Sequence, residues 1–278
     1  MWQTRSKMMF LTCVLIAGLT LSQMLMYVLQ WLFGWHLGFN LIDICNTWLR
    51  SLDITMAGYL FDALIVYTLF LCVFVSWRQV IQSYHISKKL MAHRDERLTA
   101  LMGELYGQPL TVIRHSQPFA FTLGLLKPKI FLSTGLLELL EDEELEAVIH
   151  HERFHKEHRD PLKMFLLSLF SSSMAYLPIL KWCHQHYKMS REILADDYAI
   201  NKQGSSLYLG GALLKLLKRT NSKKMLVTVS AFADTSINCR IRRILDPQTD
   251  IPLKIPMLLT FVSMKVLVLL SAFFIIVA

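Results

Sequence analysis

Apolar residues fall along this chain in long blocks separated by polar stretches. From Met8 to Phe33 no charged residue occurs, and the block is long enough to cross a bilayer as a helix. A second block runs from Met56 to Trp77, interrupted only by Asp62, and a last one from Ile255 to Ala278 holds only Lys265. Between them the pattern changes. Leu98 to Leu105 reads as a short helix ending at Gly107. Thr111-Val112-Ile113-Arg114, Phe119-Ala120-Phe121-Thr122-Leu123 and Lys129-Ile130-Phe131-Leu132-Ser133 are β-prone runs, and Gly124 and Pro128 suit a hairpin turn between the last two. From Asp142 the chain opens with acids, which suit the positive end of a helix dipole. Leu145, Val148, Ile149 and Glu152 then follow helical spacing, with no Gly or Pro before Pro161. Pro161 to Leu180 is again strongly apolar, broken by Ser171-Ser172-Ser173 and Pro178.

The fold class expected is α+β, in a membrane protein: transmembrane helices around a mostly helical domain with a small β-hairpin or sheet. Of the 278 residues 54% are hydrophobic and 18% charged, too apolar a balance for an ordinary soluble domain. The first block is too long for a cleaved signal peptide, and no small-x-small cleavage site follows it. The net charge of +8 fits cytoplasmic loops facing anionic lipid. No basic motif interleaved with aromatic residues points to direct nucleic-acid binding. Five scattered cysteines without a C-x-x-C suggest neither a disulfide framework nor a thiolate metal site.

Charge also orients the spans. Arg78, Lys88, Lys89, Arg94 and Arg97 follow the second block, whereas the stretch 34–55 has only Arg50 against Asp43 and Asp53, with Trp35, His36 and Trp48 suited to an interface. The N-terminus and everything from about residue 78 are therefore expected on the cytoplasmic side. The expected layout is two transmembrane helices within 1–80 (about 8–33 and 56–77), a cytoplasmic domain over 81–250, and a C-terminal transmembrane helix over 255–278. Asp62 would either reach the interface or pair inside a helix bundle.

The chemistry concentrates in His151-Glu152-Arg153-Phe154-His155. On a helix, residues four apart share a face, so His151 and His155 can aim imidazole nitrogens at one metal ion, with Glu152 beside them as a proton acceptor. This is the zinc-protease pattern, and it needs a third protein ligand. Candidates downstream are His158, Asp160, His184, His186, Glu192, Asp196 and Asp197. Glu192 stands out for its setting, Ser190-Arg191-Glu192-Ile193-Leu194-Ala195-Asp196-Asp197, because on a helix Asp196 shares its face and can orient a metal-bound histidine. If Glu192 is the ligand, a complete crossing over 161–187 would leave too little chain to return. That segment is then a bent or re-entrant hairpin, or lies in the membrane surface.

H-E-x-x-H followed by E-x-x-x-D in an Ala-Asp context resembles the membrane gluzincin proteases. The close spacing of the two motifs and the span order resemble the BlaR/MecR group. HtpX-type quality-control proteases share the motifs but carry membrane-spanning helices between them. The resemblance runs from about Pro118 to Asp246. It includes Pro118-Phe119-Ala120, Pro128-Lys129-Ile130, Asp160 five residues after His155, and Arg240-Ile241-Arg242-Arg243-Ile244-Leu245. It implies a gluzincin-like domain in which His151, His155 and Glu192 bind Zn2+, Glu152 is the general base, and Asp160 and Asp196 support them. His158 stands where the family usually has arginine, there are fewer spans ahead of the domain, and no penicillin-binding sensor is present.

By this resemblance the chain is a short BlaR/MecR-type zinc endopeptidase of the bacterial cytoplasmic membrane, in contact with the bilayer. Its substrate would be a cytoplasmic repressor of the BlaI/MecI type, with self-cleavage and a homodimer as further expectations. The alternative is an HtpX-type protease that cuts many unfolded membrane proteins. From another class, the alternative is a non-catalytic membrane sensor. Tyr198 and His186 are candidates for stabilising an oxyanion.

Overall fold

The computed structural model describes residues 2–34, 47, 55–221, 231–246 and 255–271. The interface residues Trp35, His36 and Trp48, and the end of the last apolar block from residue 272, lie outside the described residues. The chain divides into two compact units. One gathers Met1–Ser6, Val80–Phe165 and Tyr187–Pro252; the other gathers Lys7–Gln79, Leu166–His186 and Leu253–Ala278.

The second of these units is helical. It holds most of α1 (Trp2–Phe33), the first part of α2 (Thr55–Met91) and the last described helix, α10 (Met257–Ser271). Among the described residues α1 and the Tyr59–Met91 part of α2 are long and apolar enough to cross a membrane. Only 17% and 22% of their most apolar windows are buried. Leu11, Leu15, Leu19, Phe70 and Val73 all project outward. Met24, Phe61, Ile65 and Leu270 pack together inside. Asp62 does not stand alone in its apolar run, because the Tyr27 hydroxyl donates to Oδ1 at 2.7 Å.

The stretch that follows the H-E-x-x-H motif is two helices, α6 (Asp160–Ser173) and α7 (Pro178–Gln203), with a turn at Met174–Leu177. Pro178 opens α7, where its missing N–H costs nothing. With 14 residues α6 is about 21 Å long, short of a bilayer's hydrocarbon core.

The other unit carries the sheet. Its first elements are α3 (Glu96–Leu105), β1 (Leu110–Ile113), β2 (Ala120–Leu123) and β3 (Lys129–Ser133), and the strand order is β1-β3-β2. β3 pairs antiparallel with β2, as the Gly124 and Pro128 turn predicts, and parallel with β1. Gly124 is required there: φ is +117°, and a Cβ would stand 2.7 Å from the Lys127 carbonyl oxygen. As the central strand β3 is covered on both faces, which is why Ile130-Phe131-Leu132 reads as a continuous apolar run. The short α4 (Thr134–Leu137) follows, with the Ser133 hydroxyl accepting from Leu136 N–H at its start.

α5 (Asp142–Glu157) carries the motif. Its first turn is acidic, and the Glu144 side chain accepts from the Glu141 backbone N–H at 3.1 Å. Leu145, Val148 and Ile149 join Val112, Ile130 and Leu132 in the core, so the apolar approach run presses the helix onto the sheet. α8 (Leu207–Asn221) packs against α5 through Gly211, where a Cβ would meet Glu144 Oε1 at 2.7 Å. α9 (Ala231–Leu245) adds Ile244, buried with Ala147, Ala199 and Leu209.

Candidate metal centre

α5 and α7 bring together one nitrogen of His151, one of His155 and one carboxylate oxygen of Glu192, all within 4.8 Å of one another. His151 Nε2 is 3.2 Å from His155 Nε2, and Glu192 lies 3.6 Å from the first and 3.8 Å from the second. The 3.6-residue turn aims both imidazoles to one side of α5. Glu192 arrives from the middle of α7, across the turn at Met174–Leu177.

Each histidine is held from behind. His155 Nδ1 donates to Asp160 Oδ2 at 2.8 Å, and Arg191 Nε donates to the same oxygen at 2.9 Å. His151 Nδ1 lies 2.9 Å from Asp196 Oδ1, off the line of an ideal hydrogen bond. Arg240 grips Asp196 with Nε to Oδ2 and Nη2 to Oδ1, both 2.8 Å. The result is two parallel chains, His155–Asp160–Arg191 and His151–Asp196–Arg240. Arg159, with φ of 51°, makes the tight step from α5 to α6 that brings Asp160 back under His155.

These contacts decide the charges. Burial alone would push His151 down, but the Asp196 and Glu192 carboxylates outweigh it and push the ring up to about 10. Burial raises the Glu192 carboxyl, yet the hydrogen bond with His151 and the charge of Arg240 hold it well below the usual carboxylate range. Asp196 is likewise lowered against its burial, chiefly by Arg240 and then by His151. Asp160 is lowered by His155 and Arg191.

The donor set fits a metal ion. With each Nδ1 turned to an aspartate, the two Nε2 atoms stand 3.2 Å apart beside the Glu192 carboxylate, an arrangement that a cation bound by all three in place of protons would satisfy. Two imidazoles and a carboxylate form a usual zinc ligand set with a position left for water.

Glu152 lies in the same cavity, of about 530 Å³. Thr122 Oγ1, on β2, is 2.8 Å from Glu152 Oε2 and 3.0 Å from its backbone oxygen. Among the described strands β2 pairs on one side only, and its Ala120, Phe121 and Thr122 line the cavity. Leu209, Leu213 and Leu216 of α8 line it with apolar side chains.

The other candidates stand elsewhere. His158 Nδ1 donates to Phe154 O at 2.9 Å and its ring packs at a tilt against Phe154. His184 Nδ1 is 3.3 Å from Ser171 Oγ, and His186 packs at a tilt against Trp182. Asp197 pairs with Arg243. Tyr198 packs on Phe154 and His150 and does not line the cavity. Sequence reasoning did not assign Thr122, Arg191 or Arg240 to the site. For Arg240 a signal existed: it lies one turn before the buried Ile244, so a cation occupies an apolar face.

Two histidines and a glutamate are the ligand set that zinc peptidases use. Residues 96–224 match the family model described as Peptidase family M48. Among curated proteins the chain is similar to three described as Protease HtpX homolog. With that of Archaeoglobus fulgidus it is 34% identical over 116 residues, 39% of this chain and 35% of the relative. With that of Thermodesulfovibrio yellowstonii it is 26% identical over 205 residues, 60% of this chain and 69% of the relative. With that of Sulfurovum sp. it is 34% identical over 116 residues, 39% of this chain and 42% of the relative. The chain thus spans under half the length of the first and third. These relatives carry the name of the alternative expectation, HtpX; none of them supports the BlaR/MecR assignment or a role in signal transduction.

Proposed function

We propose that this chain is a zinc-dependent endopeptidase held at a membrane, with HtpX-type cleavage of unfolded or misassembled membrane proteins as its role. The observation that carries this is the convergence of His151, His155 and Glu192 donor atoms beside Glu152 in a cavity bordered by a strand edge. α1 and α2 act as membrane spans, supported by their length and outward apolar side chains. The domain layout, with the domain on the cytoplasmic side, rests on the Lys and Arg bias after the second span.

His151, His155 and Glu192 would hold the zinc ion, which when bound polarises the scissile carbonyl and acidifies water. An extended peptide pairs with the open edge of β2 and places an apolar side chain against Leu209, Leu213 and Leu216. Glu152 takes the proton of the attacking water and delivers it to the leaving amine. Thr122 holds the Glu152 carboxylate in place for that transfer. Asp160 and Asp196 fix the imidazole planes.

A second reading, a signalling protease for one cytoplasmic repressor, is favoured by one observation. The two motifs are joined by a short helix, a turn and half of α7, which is little chain to carry further membrane helices. One experiment tests both. The purified chain in detergent, with about one zinc bound, is incubated with unfolded casein and with a folded repressor, Glu152→Gln serving as control. Cleavage of casein at many sites supports the quality-control role. Cleavage of the repressor alone supports the signalling role, and zinc-independent or absent cleavage overturns the peptidase proposal.

A further inference from the structure

Arg240 lies beyond the stretch that matches the M48 model, and peptide hydrolysis as described above does not call on it. Its guanidinium nevertheless reaches both carboxylates that address His151. Two of its nitrogens bind Asp196 in a fork at 2.8 Å each, and Nη1 stands 3.1 Å from Glu192 Oε2. Asp196 faces His151 at Nδ1, and Glu192 faces it at Nε2.

The arrangement has a physical reason. Glu192 and Asp196 are one turn apart on the same face of α7, so their negative charges repel at close range in a poorly solvated place. A planar guanidinium with donors on separate edges can neutralise both while fixing the plane of each; an ammonium group on a flexible stem cannot hold both geometries. The helix that carries it is docked close by. Arg243 pairs with Asp197 at 3.3 Å, and Ile244 is buried against Ala199 and Leu209.

We propose that Arg240 is a positioning residue of the metal centre, holding Glu192 as a ligand and Asp196 as the brace of His151, so that α9 completes a site whose ligands all lie within 96–224. The proposal rests on the zinc-site assignment above and deepens it. It predicts that the chain cut before α9 would lose metal affinity while keeping every ligand.

The test uses the full chain in detergent micelles: wild type, Arg240→Met, Arg240→Lys and Arg243→Met. Zinc affinity is read by competition with a chromophoric zinc chelator, fold by circular dichroism, and casein cleavage in parallel. Arg240→Met is expected to bind zinc about 10- to 100-fold more weakly, the usual effect of losing a residue that orients ligands. Arg240→Lys should recover part of that loss, and Arg243→Met should stay within about twofold of wild type. Wild-type zinc affinity in Arg240→Met overturns the proposal. So does an equal loss in Arg243→Met, which would make the docking of α9 in general the cause. If Arg240→Met does not fold, Arg240→Lys decides: full zinc affinity overturns, partial loss supports. A wild type that binds zinc and cleaves nothing sinks the peptidase function and leaves the affinity comparison intact.

Discussion

Arg191 and Glu192 are consecutive on α7 and serve the same pair of histidines from opposite ends. Glu192 sits 3.6 Å from His151 Nε2 on the ligand side. Arg191 reaches the far side, 2.9 Å from the Asp160 carboxylate that holds His155 Nδ1. One short stretch of α7 thus sets both the front and the back of the site.

That relationship predicts a separable double-mutant cycle. Asp160→Ala leaves the Arg191 guanidinium buried without its partner and should cost about 3 kcal/mol of stability, measured on the zinc-free protein by denaturant unfolding. Asp160→Ala combined with Arg191→Met should restore most of that stability. Zinc affinity should stay roughly tenfold low in both, because His155 has lost the acceptor at Nδ1. Recovery of zinc affinity in the double variant would show that Asp160 serves stability alone.

Glu152→Gln should retain zinc at wild-type affinity while cleavage falls by about 100-fold or more, the usual contribution of a general base. Metal content and turnover measured on the same preparation separate the two effects. Loss of zinc in this variant would instead move Glu152 into the ligand set.

The Thr122 hydroxyl on β2 bonds to the Glu152 carboxylate, the proposed general base. Thr122→Val should therefore lower kcat by about tenfold with KM little changed, as expected for one hydrogen bond to a charged group. Thr122→Ser should keep most of the wild-type rate. A rise in KM alone would assign Thr122 to peptide binding.

Leu213 faces the cavity from α8. Leu213→Trp should reduce kcat/KM by roughly tenfold for peptides with a bulky apolar residue against this wall, and spare those with alanine there. A uniform loss across peptides would mean that the wall does not contact the substrate.

How much of this was legible follows from the range of each interaction. The helix bearing His151 and His155 was readable because its acids, apolar run and i, i+4 pair are all local. So was the β2–β3 hairpin, which Gly124 and Pro128 announce. Glu192 was reached through Asp196, four residues on. The parallel pairing of β1 with β3 was not readable, since it joins strands separated by another strand and its turn. Thr122 and Arg191 could not be singled out either. Each lies in a stretch of ordinary composition, and its partner is 30 or 31 residues away. The Asp62 in the second apolar block shows the same limit from the other side: its place in a helix was plain, but its partner Tyr27 was not.

The open edge of β2 is four residues long, and that brevity has a thermodynamic consequence. A peptide laid along it gains only a few backbone hydrogen bonds, each contributing about 1 kcal/mol, so a free peptide would be captured at roughly millimolar concentrations. Such a site works poorly on dilute targets in three dimensions. On the proposed reading, with α1 and α2 as membrane spans, protease and membrane-bound target would share one surface, and confinement would supply the effective concentration that the strand itself does not. Selectivity then follows from where a segment is presented, more than from which side chains it carries.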